Sequence, residues 1–198
     1  MDFATDIQSS YEDQTFKNVV CQQRDIQFKE FSDCTFNRCL FTETSFRECT
    51  FRNCTFKNCD LSLMRVKDST FSGAKFEECK VVGVNWSEAK WKNVGLLVAS
   101  VDFVNCTINY STFIGLTLKK ANFTKCIAHD VDFTKANLTQ ANCTYTDFSE
   151  SRFSQTNLTE ADFTHATNYM IDVQYLRQLS GETVKTANAN AAEGGKAL

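Results

Sequence analysis

The stretch CTFNR CLFTE TSFRE CTFRN CTFKN CDLSL, residues 34–63, repeats every five residues. An apolar residue, most often Phe, stands third in each unit, and we call this residue the centre. Centres recur at every fifth residue from Phe16 to Leu96, and again from Phe103 to Phe163. The two runs contain 17 and 13 units, and every centre is apolar. A period of five fits neither an α-helix nor a simple strand, so the chain must turn once per unit.

The residue two before each centre is also restricted. It is small or apolar in nearly every unit, as at Cys34, Cys39 and Ala121. Three exceptions, Gln14, Arg24 and Lys29, all lie near the N-terminal end, which predicts an irregular first coil. Two of every five side chains therefore point inward, and the other three positions are mostly polar.

This two-position pattern resembles the pentapeptide-repeat family, whose unit is A(D/N)LXX, over about residues 14–166. The resemblance implies an all-β solenoid, a right-handed quadrilateral parallel β-helix with four units per coil. Thirty units then make about 7.5 coils, and strand spacing gives a rod of ~36 Å. Backbone hydrogen bonds would run between coils, which explains mechanically why the chain contains no proline.

Residues 20 apart should stack inside this helix. One expected internal stack is Phe16, Phe36, Phe56, Phe76 and Leu96. A second is Phe31, Phe51, Phe71 and Trp91. Trp86 is also a centre, and we expect it to fill the core.

The pattern divides the chain into four segments. Residues 1–13 form an N-terminal segment, and residues 14–168 form the β-helix. A two-residue register break is expected near 97–100. Residues 169–184 are predicted to form a short C-terminal cap helix, because an open solenoid end exposes its core. The small, polar residues 185–198 are predicted to be disordered.

Composition limits the partner classes. The chain has 21 Lys and Arg against 24 Asp and Glu, a net charge of -3. This balance argues against direct nucleic-acid binding. No apolar run is long enough for a membrane span, and the N-terminus lacks the features of a secretory signal. We therefore expect a cytoplasmic protein with no membrane partner.

Ten cysteines invite a metal or redox interpretation. All ten are in inward register, and the sequence has no C-x-x-C pair. We expect buried, reduced, structural cysteines that bind no metal and no cofactor. His129 and His165 point outward by register. The chain also lacks the P-loop and the hydrolase and metalloprotease motifs, so no enzyme activity is expected.

One acidic cluster lacks basic neighbours on its own face. Asp130 and Glu150 share an outward column, Asp147 lies beside them, and Asp132 lies on an adjacent face. The cluster is a candidate partner-binding face. An ordinary solvated acidic face is the alternative, and it is the more common case.

Within the family, the chain most resembles the immunity-type members that give resistance to gyrase poisons such as albicidin. Four segments carry this likeness: CDLSL at 59–63, GVNW at 83–86, HDVDF at 129–133 and ATNYMIDV at 166–173. The resemblance implies a DNA-mimicking protein that binds DNA gyrase or topoisomerase IV and protects it. Quinolone-protecting members often carry long projecting loops, whereas the expected break here is two residues.

The same resemblance suggests a homodimer through the C-terminal segment. The residues expected at the contact are Ile171, Val173, Leu176 and Leu179. Val173, Leu176 and Leu179 have helical spacing. The alternative function is a general protein-interaction scaffold whose partner is unrelated to DNA topology.

Overall fold

The computed structural model describes residues 2–91 and 101–170, and the backbone of residues 185–186. The chain winds as a parallel β-solenoid, because every strand pair is parallel and partners are usually 20 residues apart. The strands are β1 (Ser10–Glu12), β2 (Thr15–Lys17), β3 (Asp25–Gln27), β4 (Glu30–Ser32), β5 (Thr35–Asn37), β6 (Ser45–Arg47), β7 (Thr50–Arg52), β8 (Thr55–Lys57), β9 (Thr70–Ser72), β10 (Ala74–Glu77), β11 (Val101–Val104), β12 (Phe123–Thr124), β13 (Asp162–Phe163) and β14 (Lys185–Thr186).

The solenoid has four faces, which we name by the first centre of each that the sequence predicts. The Phe16 face holds the sheet β12-β11-β10-β8-β5-β2, and the Phe31 face holds β1-β4-β7-β9. The Ile26 face holds the pair β3-β6. The Cys21 face is joined by isolated parallel bridges, such as Val20 with Leu40 and Thr107 with Ile127. These four ladders confirm the expected five-residue side and 20-residue turn.

The core is a column of stacked aromatic rings. On the Phe16 face, the ring centroids of Phe36 and Phe56 are 4.7 Å apart, and those of Phe56 and Phe76 are 4.9 Å apart. The ring planes differ by 8° in both pairs. Apart from the half-buried Trp91, every centre that the structure describes is buried. The inward register predicted from the repeat is therefore confirmed.

At the corners of the solenoid, the backbone adopts the left-handed conformation. The residue two after the centre has positive φ in unit after unit, for example 54° at Asn18 and 55° at Asp130. This region disfavours residues other than Gly, Asn and Asp, and those three types occupy many of the corners. The corner residue points outward, so a large side chain there is exposed over more than half of its surface, as at Phe28 (61%) and Tyr110 (64%).

Polar hydrogen bonding explains the many cysteines. The Cys59 thiol lies 3.3 Å from the Phe36 carbonyl, and the Cys39 amide donates to the Cys59 sulfur at 3.3 Å. The Ser69 hydroxyl makes the equivalent bond, donating to the Phe46 carbonyl at 3.0 Å. The thiols with an equivalent bond to the preceding turn are Cys34, Cys39, Cys49, Cys54, Cys79, Cys106 and Cys126. Each compact donor thus adds a hydrogen bond from the interior to a buried backbone carbonyl of the preceding turn.

The two halves of the chain build their turns differently. In the first half, Thr often precedes the centre, as at Thr35 and Thr55, and regular strands form. In the second half, Asn or Asp often takes this place and caps a local turn. The Thr139 amide, for example, donates to the Asn137 side chain at 3.1 Å. Strands of three or more residues consequently occur in about five turns of the solenoid. The sequence analysis expected 7.5 coils.

The register break differs from the expected one. Phe76 is paired with Phe103, 27 residues later, and their rings stack at 5.0 Å. The insertion is therefore seven residues relative to a 20-residue turn, not two. Phe103 takes the stack position that was expected for Leu96. Phe71, on the Phe31 face, packs edge-on at 5.2 Å against Trp86, which is a centre of the Ile26 face.

The N-terminal end begins one unit earlier than predicted. β1 starts at Ser10, and the Tyr11 ring stacks on Phe31 at 4.9 Å. Phe3 is fully buried and covers the open end of the aromatic column. The inward Lys29 is buried because its ammonium group donates to the carbonyls of the segment that carries Phe3. Of the three exceptions near this end, Lys29 is thus bound to the N-terminal segment, whereas Gln14 and Arg24 are exposed.

The C-terminal end differs from the expectation in part. The described residues contain one short 3-10 helix, Trp86–Glu88, and no α-helix. Most of the predicted cap helix, residues 171–184, lies outside the described residues. Lys185–Thr186 pairs in parallel with β13, so the prediction of disorder is wrong at these two residues. Residues 187–198 lie outside the described part.

Candidate partner-binding surface

The corner between the Cys21 and Ile26 faces carries two unpaired acids on successive turns. Asp130 and Glu150 both adopt the left-handed corner conformation, with φ of 55° and 59°. Both are exposed, and neither makes a side-chain hydrogen bond or ion pair with a described residue. Adjacent turns are ~4.8 Å apart, so two negative charges are displayed close together. We call Asp130 and Glu150 the acidic corner.

Asp147, on the Cys21 face, is not free. It lies 2.9 Å from the His129 ring nitrogen and accepts a hydrogen bond of 2.9 Å from Asn168. Ser149 donates to the same carboxylate at 2.8 Å. Burial acts to raise the pKa of Asp147, but these hydrogen bonds outweigh it and lower the pKa to about 2. The carboxylate is ionised at neutral pH, but it is held inside a local network.

Asp132, on the Ile26 face, has a basic neighbour that the sequence analysis missed. The Arg152 guanidinium lies 3.7 Å from its carboxylate, and the Thr134 amide donates to it at 2.8 Å. The four acids expected to form one cluster therefore fall into two groups. Asp130 and Glu150 present free charge, whereas Asp132 and Asp147 are hydrogen-bonded and partly screened.

Exposed aromatic side chains flank the acidic corner. Tyr110 precedes Asp130 on the same corner column and is 64% exposed. Tyr145, at the other edge of the Cys21 face, is 56% exposed, and its ring stacks on His165 at 4.6 Å. Aromatic side chains are enriched at protein interfaces. In the sequence, Tyr110 and Tyr145 each stand two residues after a centre, an outward position that is the signal for this surface.

The expected dimer residues, Ile171, Val173, Leu176 and Leu179, all lie outside the described residues. Met170, which directly precedes them, is 62% exposed. The dimer contact remains a prediction.

Other site types find little support in the described part. All ten cysteines are buried and free. Residues 2–91 and 101–170 hold no group of three or more His, Cys, Asp or Glu side chains that could bind a metal. Within the same residues, no helix is long and apolar enough to cross a membrane.

Family models match most of the solenoid. A model described as a pentapeptide repeat region matches residues 29–113. A second, described as pentapeptide repeats (8 copies), matches residues 102–140 and 136–167. The chain therefore belongs to the pentapeptide-repeat family. No curated protein sequence matches it.

Solved structures share the fold at low identity. One is a trypsin-treated variant of QnrB1, a plasmid-mediated fluoroquinolone resistance protein, at 19% identity and a TM-score of 0.52. That match covers 96% of this chain and 99% of the QnrB1 chain. Another is HetL from the cyanobacterium Nostoc sp. strain PCC 7120, involved in heterocyst differentiation regulation, at 9% identity and a TM-score of 0.53. It covers 81% of this chain and 75% of HetL. At these identities the likeness supports the fold alone.

Proposed function

We propose that this protein is a non-enzymatic DNA mimic that binds a type II topoisomerase in the cytoplasm and protects it from a toxin or antibiotic. The observation that carries the proposal is the acidic corner, where Asp130 and Glu150 display unpaired charges on successive turns. B-DNA carries about one charge per 1.7 Å of axis, so a DNA-binding surface of positive charge would attract such a row. The sequence resemblance to gyrase-protecting family members supplies the partner, DNA gyrase or topoisomerase IV.

The test is a supercoiling assay with purified gyrase, and a decatenation assay with topoisomerase IV. We expect the parent protein to inhibit either enzyme or protect it from a poison. Reversing both corner charges, Asp130→Lys with Glu150→Lys, should weaken the effect at least tenfold. The melting temperature should stay nearly unchanged, because both side chains are exposed.

A matched control lies on the diagonally opposite corner. Asp13 and Asp33 are also exposed acids in the left-handed conformation on successive turns, with φ of 51° and 54°. The double change Asp13→Lys with Asp33→Lys alters the net charge equally. It should leave the topoisomerase effect intact. Equal losses in both double variants would mean that net charge, and not the acidic corner, is what the enzyme senses.

A second candidate function is a protein-interaction scaffold. The pairing of Asp132 with Arg152 and of Asp147 with His129 favours it, because it reduces the free negative charge beside the corner. The parent protein would then bind neither topoisomerase.

A further inference from the structure

A basic depression lies in the N-terminal half of the solenoid, away from the acidic corner. It is about 400 Å³ in volume and opens on the Ile26 face at its edge with the Cys21 face. Arg24, Arg47, Arg65 and Lys67 line it together with Ser45. Ser45 stands between Asp25 and Arg65 on one column of paired residues, so the smallest of these side chains forms the low point.

The acids around this depression already have partners. Asp25 accepts from the Arg47 guanidinium at 2.9 Å and from Gln27 at 2.6 Å. Glu43 and Glu88 each accept a hydrogen bond from an amide side chain on the rim, at 3.3 Å and 3.0 Å.

Several donors, in contrast, have no partner. Arg65 and Lys67 are exposed, and neither makes an ion pair or side-chain hydrogen bond with a described residue. They flank the centre of one turn, and Arg47 lies one turn below Lys67, at a strand spacing of ~4.8 Å. The Nε of Arg47 is buried and has no hydrogen-bond partner among the described residues.

We propose that this depression binds a phosphate-type oxyanion. Arg65 and Lys67 supply the charge, and the Ser45 hydroxyl and the accessible part of the Arg47 guanidinium, whose side chain is 44% exposed, supply further donors. Guanidinium and ammonium groups are the usual protein partners of phosphate. The volume exceeds that of a phosphate group alone and falls within the range of small-ligand pockets, so the phosphate can belong to a larger molecule.

The test is calorimetric titration of the full chain with inorganic phosphate, with chloride as the competing salt. We expect saturable one-site binding. The double variant Arg65→Ala with Lys67→Ala should weaken it at least tenfold. The control, Lys119→Ala with Lys120→Ala, removes the same charge from exposed positions on the other half of the chain and should bind as the parent does. If the first variant does not fold, the single variant Lys67→Met is titrated instead, and its phosphate binding is compared with that of the parent.

Non-saturable binding, or equal losses in the two double variants, would overturn the proposal. Two further titrations separate the sources of the phosphate. A nucleoside monophosphate that binds more tightly than phosphate identifies a small ligand, whereas a short DNA duplex that binds more tightly identifies a nucleic-acid backbone. The site shares no residue with the acidic corner, so its failure would leave the proposed topoisomerase function standing.

Discussion

Replacing Phe56 by Ala should destabilise the protein more than almost any other single change. The Phe56 ring is fully buried, and it is stacked between Phe36 and Phe76 at 4.7 and 4.9 Å. A buried Phe→Ala change costs about 3–5 kcal/mol, and the loss of two aromatic pairs places this one near the top of that range, at about 4–5 kcal/mol.

Urea denaturation followed by far-ultraviolet circular dichroism measures this effect. With a slope of about 2 kcal/mol per molar urea, the midpoint should fall by about 2 M. The control is Lys57→Ala, one residue along the chain. Its ion pair with Glu77, at 3.2 Å, is exposed, so the change should cost only about 0.5 kcal/mol. A Phe56 variant as stable as the Lys57 variant would refute the inward register.

Four further outcomes are expected. Cys59→Ala should cost about 1–3 kcal/mol, because it removes the sulfur that accepts from the buried Cys39 amide and the thiol bond to the Phe36 carbonyl, while Cys59→Ser should be milder; urea midpoints compare the two. Burial raises the pKa of the Cys54 and Cys126 thiols to about 12, so Ellman's reagent should not label them in the native state at pH 8. Because the same thiols ionise near pH 9 when unfolded, the stability they contribute is complete below pH 9 and should decline as the pH rises toward 12. Light scattering on Leu176→Asp should show a monomer where the parent is a dimer, and a parent that is monomeric at tens of micromolar would end the dimer prediction.

The repeat in the sequence predicts the fold because burial repeats with it. Once the centre is placed at Phe36 and Phe56, the five-residue side follows, and the resemblance to the pentapeptide-repeat family implies the 20-residue turn; the structure confirms both. The register break could not be sized in this way. Sequence spacing counts residues between centres, but only pairing shows which centre resumes the stack, and that centre is Phe103, not Leu96.

Ends and surfaces were harder to predict than the interior. In the sequence, the inward Lys29 is an exception to the repeat pattern. Its ammonium group donates to carbonyls of the N-terminal segment, which lies outside the repeat and so gives no sequence signal for this contact. The acidic cluster was predicted from the column and face of each residue. These give the position of a residue on the solenoid, but not the position of the charged end of a long side chain. Arg152 reaches Asp132 along its own column, and His129 reaches Asp147 from the turn below. Ion pairs of this kind depend on rotamers, which a repeat pattern does not encode.

Direct binding of the unmodified protein to purified DNA gyrase, measured over a salt series, tests the central claim most directly. If Asp130 and Glu150 stand in for phosphates, binding should occur at low salt and weaken steadily as the salt rises, since screening acts on exposed charges. The same should hold for topoisomerase IV if that enzyme is the partner. Absence of binding to both enzymes at low salt, or an affinity that salt does not change, would contradict the account.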